Sequence, residues 1–412
     1  MNKIKKIIAS QTTRDTLISF TGLVTIAVAG MIFTVITARA LDPALFGVFS
    51  ALSAIVGLLS SLGDLGISSA LVNFIPKFPN RRNILISVTF WFQITVTSVL
   101  TLLLISAGLV HNLIVPGSET GHFVIIGFLT GFYILQGFAL GIFNAEKKFF
   151  QASFIQGFDS VLKLTITAAI FFGGHLNIEL ALLANLISCA LSLVYGFYGE
   201  FRNIRPIFPR EQMAEIFRFS KWIALSRTFS VMISRVDILL LNLLAGGFQA
   251  GIFSAASRIS LLFVLLVSSI GSVTAPRFSS FIHKSDIKKY LGKVAILVGG
   301  VSLVMIITII FADPIVKLVF GSKYIQSIPI FQALTLAMIP FLLGVITTTP
   351  LIYSLNQPKF TSRITILQVL IIIGLDLVLI PRFQALGPVI SLGIANTTIL
   401  VLSGWKLYSL LK

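Results

Sequence analysis

Four basic side chains lie inside apolar segments of this chain, at a depth that corresponds to the middle of a membrane. They are Lys163, Arg227, Arg235 and Arg258. A charged residue at that depth costs about 2.5–3.5 kcal/mol on insertion scales, so it usually faces a water-filled cavity or a partner group. Four cations, which outnumber the acids at similar depth, predict a cavity that binds an anionic substrate.

Four acids also lie within the apolar segments, and we regard them as candidates for ion coupling or for pairing with the cations. They are Asp64, Asp159, Asp237 and Asp376. Asp64 falls at the end of its segment, where it could cap a helix. Asp159 precedes Lys163 by four residues, so the two share a helix face and could pair. Asp237 follows Arg235 by two residues, about 200° around a helix, and therefore faces other neighbours.

The remaining reactive residues do not form a recognisable active site. The single cysteine, Cys189, cannot make a disulfide or a cysteine-based metal site by itself. The four histidines are scattered over loops and segment ends, without the spacing of metal ligands. They are His111, His122, His175 and His283. The sequence therefore predicts no catalytic residues, no metal and no cofactor.

Composition places the chain among membrane proteins. Of its 412 residues, 56% are hydrophobic and 11% are charged, whereas soluble domains average about 25% charged residues. The net charge of +17 could suggest a nucleic-acid partner, but the distribution of the charges, described below, argues against one.

Reading for apolar stretches of about 20 residues predicts twelve transmembrane helices. They are 16–38, 43–64, 84–109, 122–143, 152–173, 177–198, 219–243, 248–275, 290–312, 328–353, 362–381 and 386–409. The first stretch is longer than the apolar part of a signal peptide, so we expect a retained helix. The fold class is therefore an all-α polytopic membrane protein.

The basic residues predict the orientation of these helices. Besides the four deep cations, only four of the 31 Lys and Arg residues lie on the segments of one side. They are Arg39, Lys317, Lys323 and Arg382. All the others lie on the opposite side, which the positive-inside rule identifies as cytoplasmic. Both termini are then cytoplasmic, and the high charge reflects topology and contact with membrane lipids rather than binding of nucleic acid.

The two halves of the chain repeat each other. Residues 47–55 match residues 251–259 at a constant offset of 204, with six of the nine positions identical. Parallel six-helix repeats predict two bundles related by a pseudo-two-fold axis along the membrane normal, with a central cavity between them. We predict an N-terminal bundle over 1–200, a cytoplasmic linker with an interfacial helix over 201–218, and a C-terminal bundle over 219–412. Within that linker, Met213, Ile216 and Phe217 are predicted to enter the headgroup region.

Several short motifs resemble those of the polysaccharide lipid flippases, which belong to the multidrug/oligosaccharidyl-lipid/polysaccharide transporter superfamily. The motifs are Arg39-Ala40-Leu41-Asp42-Pro43, Gly63-Asp64-Leu65-Gly66, Arg235-Val236-Asp237 and Leu379-Ile380-Pro381. The resemblance implies two six-helix bundles around an often cationic cavity that opens alternately to the two sides of the membrane. Asp376 stands where the family has a neutral Asn, so the nature of the coupling ion is open.

The resemblance implies that the chain moves a polyprenyl-diphosphate-linked oligosaccharide across the cell membrane and is not an enzyme. Its expected partners are that lipid, the surrounding membrane lipids and other membrane proteins of polysaccharide assembly. Two alternatives remain: a multidrug or cation antiporter of the same superfamily, and a membrane polysaccharide polymerase or acyltransferase. The cations also have a structural interpretation, as ties between helices or, for Lys163, as the partner of Asp159.

Overall fold

The computed structural model describes residues 11–198, 204–205, 210–281 and 283–412. All regular secondary structure in these ranges is helical. The α-helices are α1 (Gln11–Ala40), α2 (Pro43–Gly63), α3 (Ile67–Lys77), α4 (Arg82–Ala107), α5 (His111–Ile114), α6 (Thr120–Ala145), α7 (Phe149–Phe172), α8 (Ile178–Phe197), α9 (Arg210–Ser279), α10 (Lys284–Ile310), α11 (Ala312–Phe320), α12 (Ser327–Tyr353), α13 (Pro358–Phe383) and α14 (Leu386–Leu411). Short 3-10 turns span Pro79–Arg81, Gly108–Val110 and Ser322–Tyr324. Residues 1–10 of the predicted N-terminal bundle and part of the predicted linker lie outside the described residues.

Eleven helical stretches in the described ranges are long and apolar enough to cross a membrane, which makes the chain a multi-pass membrane protein. One of them, Ile223–Ser279, has 57 residues and would be about 86 Å long if straight, far more than a bilayer core of about 30 Å. The helix to which it belongs, α9, contains both the seventh and the eighth predicted spans. Between them Gly246 is non-helical, with φ 85° and ψ 169°, a conformation open to glycine alone. Residues 210–245 and 247–279 are called the first and second arms of α9 below.

The first of two compact units comprises residues 1–41 and 51–235. Aromatic rings fill its core where α4, α6 and α8 meet: Phe90 lies 5.9 Å from both Phe138 and Phe197, measured between ring centroids. Ile216 of α9 is 2% exposed and belongs to the same core. Protein therefore covers this residue, which we had predicted to face lipid headgroups. The sequence of an apolar helix face does not indicate whether protein or lipid will cover that face.

The described part of the linker is held against α4. The indole Nε1 of Trp91 donates to the carbonyl oxygen of Arg205 at 3.1 Å. The backbone N–H of Arg205 donates to the Ser87 hydroxyl at 3.0 Å. Phe217 packs edge-on against Phe92, with 4.8 Å between ring centroids.

An ion cluster joins α4 to the turn between α6 and α7 in the first unit. The Glu146 carboxylate accepts from Arg82 and pairs with Lys148. Burial would raise the pKa of Glu146, but the hydrogen bonds and charges of Lys148 and Arg82 outweigh it and hold the pKa below its ordinary value. The cluster therefore stabilises the folded unit through an ionised carboxylate.

The second unit comprises residues 42–50 and 236–412, and within it the start of α2 crosses the second arm of α9 at very close range. A Cβ added at Gly251 would lie 1.7 Å from the carbonyl oxygen of Pro43, and one added at Gly47 would lie 1.8 Å from that of Gly247. Only glycine permits such an approach, as in the Gly-x-x-x-Gly contacts of membrane helices. The contact is reciprocal, because Pro43 and Gly47 correspond to Gly247 and Gly251 at the offset of 204.

Candidate functional site

A polar cavity of about 690 Å³ lies within the first unit. Its charged lining residues are Asp64, Asp159, Lys163 and Arg227. Hydroxyl and amide side chains supply most of the other polar groups: Ser60, Ser61, Ser68, Ser69, Tyr133, Gln136, Asn144, Gln156 and Ser160. A membrane helix bundle tolerates so many polar groups where they line a wet cavity. The charges and hydrogen-bonding groups together suit a charged, hydroxyl-rich ligand.

A break between α2 and α3 forms one edge of the cavity. Leu65 and Gly66 have φ values of 47° and 73°, and a Cβ at Gly66 would lie 2.6 Å from the carbonyl oxygen of Ser220. The break frees backbone groups that must find partners inside a membrane. The buried side chain of Gln93 supplies one, since its amide donates to the carbonyl oxygen of Asp64 at 3.1 Å. The break thus positions Asp64 and the N-terminus of α3 at the cavity.

Asp64 and Arg227 form an ion pair in this cavity. Nη1 of Arg227 lies 2.9 Å from Oδ2 of Asp64. The other carboxylate oxygen, Oδ1, accepts from the backbone N–H of Ser68 at 3.3 Å and from the Ser68 hydroxyl. The Asp64 side chain is 10% exposed and that of Arg227 is 52% exposed. Asp64 is therefore firmly held, and its carboxylate binds the first turn of α3, the helix that follows its own segment, while the Arg227 side chain lines the cavity and is half exposed.

Asp159 and Lys163 both line the cavity, one turn apart on α7, and each contacts a side chain of another helix. The Asp159 carboxylate accepts from the Ser188 hydroxyl of α8 at 2.8 Å and is 5% exposed. The Lys163 ammonium lies 5.2 Å from the centre of the Phe33 ring, within the range of a cation–π contact. The structure thus brings two of the four predicted cations, Lys163 and Arg227, to one cavity.

The other two predicted cations lie away from the lining of this cavity. Arg235, in the first unit, lies beside α2, where a Cβ at Gly57 would be 3.4 Å from its Nε. Arg258 is half-buried on the second arm of α9 and belongs to the second unit.

Asp237 and Asp376 form a buried carboxyl pair in the second unit. They lie on α9 and α13, are 8% and 0% exposed, and are close enough to interact directly. Oδ1 of Asp237 and both carboxylate oxygens of Asp376 have no hydrogen-bond partner within the described part of the chain. Ser391 is a neighbour of Asp376, but its hydroxyl donates to the carbonyl oxygen of Gly387 at 3.1 Å.

Several residues of the site escaped the sequence analysis. Ser68, Gln93, Ser188 and Phe33 all contact a charged residue of the cavity. The signal that could have found some of them is polarity within apolar segments, such as the serine pairs 60–61 and 68–69 on either side of Asp64. Phe33 carries no such signal, because phenylalanine is ordinary in a membrane helix.

Among the described residues, no group of three or more His, Cys, Asp or Glu side chains could hold a metal ion.

Comparison with known proteins places the chain among proteins of polysaccharide assembly. A family model described as "Polysaccharide biosynthesis protein" matches residues 12–283. The capsular polysaccharide biosynthesis protein CapF of Staphylococcus aureus is 22% identical over 63% of this chain and 68% of its own length. The probable low-salt glycan biosynthesis flippase Agl15 of Haloferax volcanii is 22% identical over 55% of this chain. The match spans about half of Agl15, 48% of its length.

Solved structures of transporters share the fold. The lipid II flippase MurJ in its inward closed conformation aligns with a TM-score of 0.77 and 17% identity, over 95% of this chain and 87% of MurJ. An inward-facing multidrug resistance MATE family transporter of the MOP superfamily aligns with a TM-score of 0.74 and 14% identity, over 94% of both chains. At these identities the likeness concerns the fold alone.

Proposed function

The chain belongs to the polysaccharide biosynthesis protein family, and from that membership we propose that it is a flippase for a polyprenyl-diphosphate-linked oligosaccharide. The flippase would move the glycan headgroup from the cytoplasmic to the outer leaflet by alternating access. The relatives named as a capsular polysaccharide biosynthesis protein and a glycan biosynthesis flippase support this assignment. The protein itself would not cleave, extend or acylate the glycan.

The observation that carries the proposal is the polar cavity with Lys163 and Arg227 inside membrane-spanning helices. A diphosphate needs a substitute for water in this medium, and charge-assisted hydrogen bonds from an arginine fork supply it. The serine, asparagine and glutamine side chains of the lining can donate to and accept from sugar hydroxyls. Arg235 and Arg258 would serve the same headgroup at other stages of its passage.

The proposed topology has twelve crossings, with both termini in the cytoplasm. Two six-helix bundles, 1–200 and 219–412, would be joined by the cytoplasmic linker 201–218 and related by a pseudo-two-fold axis. The break at Gly246 supports this count, because it divides the 57-residue stretch into two crossings. The reciprocal contact of Gly47 and Gly251 supports the symmetry, because equivalent residues of the two repeats meet there.

The pair Asp237–Asp376 is the proposed coupling site for an ion. Two adjacent buried carboxyl groups avoid mutual repulsion only when they hold a proton or a cation. The oxygens of this pair that lack a hydrogen-bond partner among the described residues are available to bind that proton or cation. Binding and release of the ion would bias the bundles towards one of their two orientations. Asp159, tied to Ser188, would serve mainly to orient the cavity wall.

The carboxyl pair also favours a second candidate, an ion-coupled antiporter for cationic compounds, since the fold is shared with a multidrug transporter. Both candidates can be compared in proteoliposomes. A flippase moves a synthetic polyprenyl-diphosphate monosaccharide between leaflets and leaves it chemically intact by mass spectrometry. An antiporter instead moves a cationic dye such as ethidium and leaves the lipid where it was.

The cationic cavity is tested by Arg227→Gln and Lys163→Gln in the same proteoliposomes, and Arg258→Ala tests separately whether a cation outside the cavity lining serves the headgroup. Loss of charge-assisted hydrogen bonds of about 1.5–3 kcal/mol should slow transport roughly tenfold or more. Lys317→Gln is the matched control, because Lys317 is also an ion-paired cation but lies exposed on α11, where it pairs with Asp313. Wild-type transport by Arg227→Gln and Lys163→Gln, at equal amounts of reconstituted protein, would refute the proposal.

A further inference from the structure

The ion pair between Asp64 and Arg227 occupies the groups that an anionic headgroup would need. Arg227 donates to Oδ2 of Asp64 at 2.9 Å. Oδ1 accepts from the backbone N–H and the hydroxyl of Ser68, at the N-terminus of α3, where the helix dipole favours a negative charge. A guanidinium, a hydroxyl and a helix N–H are also the donors that bind a phosphate oxygen.

The two partners differ in how firmly they are held. Asp64 is 10% exposed and is fixed through Ser68, whose hydroxyl oxygen also lies 3.0 Å from the carbonyl oxygen of Gly137. Arg227 is 52% exposed, on a long side chain that extends from α9 into the cavity. An exchange of partners would therefore require movement of the arginine and not of the carboxylate.

We propose that Asp64 is a built-in competitor for the substrate anion. It pairs with Arg227 while the cavity is empty, yields the guanidinium to the diphosphate of the incoming lipid, and recovers it to promote release. This inference rests on the proposed flippase function and concerns the regulation of the same site. Arg227 stays paired in both states, and Asp64, when it yields the guanidinium, keeps its hydrogen bonds to Ser68 at the N-terminus of α3.

The competitor matters because a carrier must release what it binds. Affinity that is equal at every stage of the cycle does not speed turnover. A self-paired form also lowers the apparent affinity in proportion to its population. Asp64 thus lowers the affinity for the headgroup and shortens the time that it stays bound.

The test removes the negative charge of Asp64 and keeps its hydrogen bonds to Ser68. In Asp64→Asn the side-chain oxygen still accepts from Ser68, whereas the ion pair with Arg227 is lost. We expect the Kd of the synthetic polyprenyl-diphosphate monosaccharide to fall about tenfold, which corresponds to the loss of one charge-assisted competitor. We also expect the maximal transport rate to fall, because release becomes slower. Binding of the same lipid without its diphosphate should not change.

Two further variants make the result specific. Asp313→Asn removes an equivalent carboxylate from the exposed Asp313–Lys317 pair and should leave affinity and rate unchanged. In an Arg227→Gln background, Asp64→Asn should no longer tighten binding, because the competition acts through Arg227. Asp64→Glu, which keeps the charge, should restore weaker binding and faster transport.

The outcomes separate this inference from the proposed function. If Arg227→Gln weakens binding of the lipid but Asp64→Asn does not tighten it, the competitor role is refuted and the cationic cavity stands. If Asp64→Asn lowers only thermal stability, Asp64 is a structural cap and the inference is likewise refuted. If neither variant changes binding, the cationic cavity itself is refuted.

Discussion

Gly251→Ala is expected to destabilise the protein, although alanine is the better helix former. An added Cβ would lie 1.7 Å from the carbonyl oxygen of Pro43, whereas an ordinary contact begins near 3.4 Å. The two helices would have to separate by about 1.7 Å, because the obstructing atom is backbone and cannot rotate away. Overpacking of this kind costs about 1–3 kcal/mol, which exceeds the gain of up to about 1 kcal/mol from replacing a helical glycine.

Gly271→Ala is the matched control for this substitution. Gly271 lies on the same arm of α9, and a Cβ there would meet nothing within 4 Å. Thermal unfolding of the purified variants gives the comparison, at about 2–4 °C in Tm for each kcal/mol in a unit of this size. After the gain from alanine is subtracted, we expect Gly251→Ala to unfold up to about 8 °C below the wild type and Gly271→Ala to unfold at or above it.

Because Gly47 and Gly251 make equivalent contacts, we can also predict the effects of Gly47→Ala and of the double variant. Gly47→Ala alone should cost about as much as Gly251→Ala, since its Cβ would lie 1.8 Å from the carbonyl oxygen of Gly247. The double variant should cost less than the sum, because one separation of the helices relieves both clashes. A Tm for Gly251→Ala equal to that of Gly271→Ala, or additive losses in the double variant, would refute this account of the crossing.

Three other predictions follow from the ion cluster, the carboxyl pair and the topology. The pKa of Glu146 is lowered in the folded state, so the carboxylate stabilises the fold above its ordinary pKa near 4.5, and this contribution is lost as pH falls through the folded value. The Tm of the wild type should therefore drop more steeply below about pH 4.5 than the Tm of Glu146→Gln. Equal dependence of the two Tm values on pH would contradict this. Asp376→Asn should abolish the dependence of transport on a proton or sodium gradient, and retained coupling would exclude the pair as the ion site. Asn112 and Ser285 are exposed. In a Cys189→Ala background, single cysteines introduced as Asn112→Cys and Ser285→Cys should react with an impermeant maleimide from opposite sides of the membrane. If both react from the same side, the twelve-span topology is refuted.

The membrane-spanning helices could be predicted from the sequence because hydropathy and length are local properties. Each predicted span lies on a helix of the structure, and the seventh and eighth spans meet at Gly246. The residues that meet at the Gly47–Gly251 crossing are related by the repeat offset of 204, but the repeat alone predicted neither that they meet nor how closely. The deep charges indicated a polar interior, because a charge in lipid is costly, and two of the four predicted cations, Lys163 and Arg227, do line a polar cavity.

The pairing of those charges was decided by the tertiary structure. Asp64 and Arg227 are 163 residues apart, and no spacing rule connects them. Asp159 and Lys163 satisfied such a rule, yet their contacts include Ser188 and Phe33 on other helices. Hydropathy sets how deep a side chain lies, but its partner depends on how each helix is rotated about its axis and where it breaks. Helix rotation and helix breaks depend on packing between distant segments, such as the close approach of Gly66 to the carbonyl oxygen of Ser220. They are therefore determined only in the folded chain.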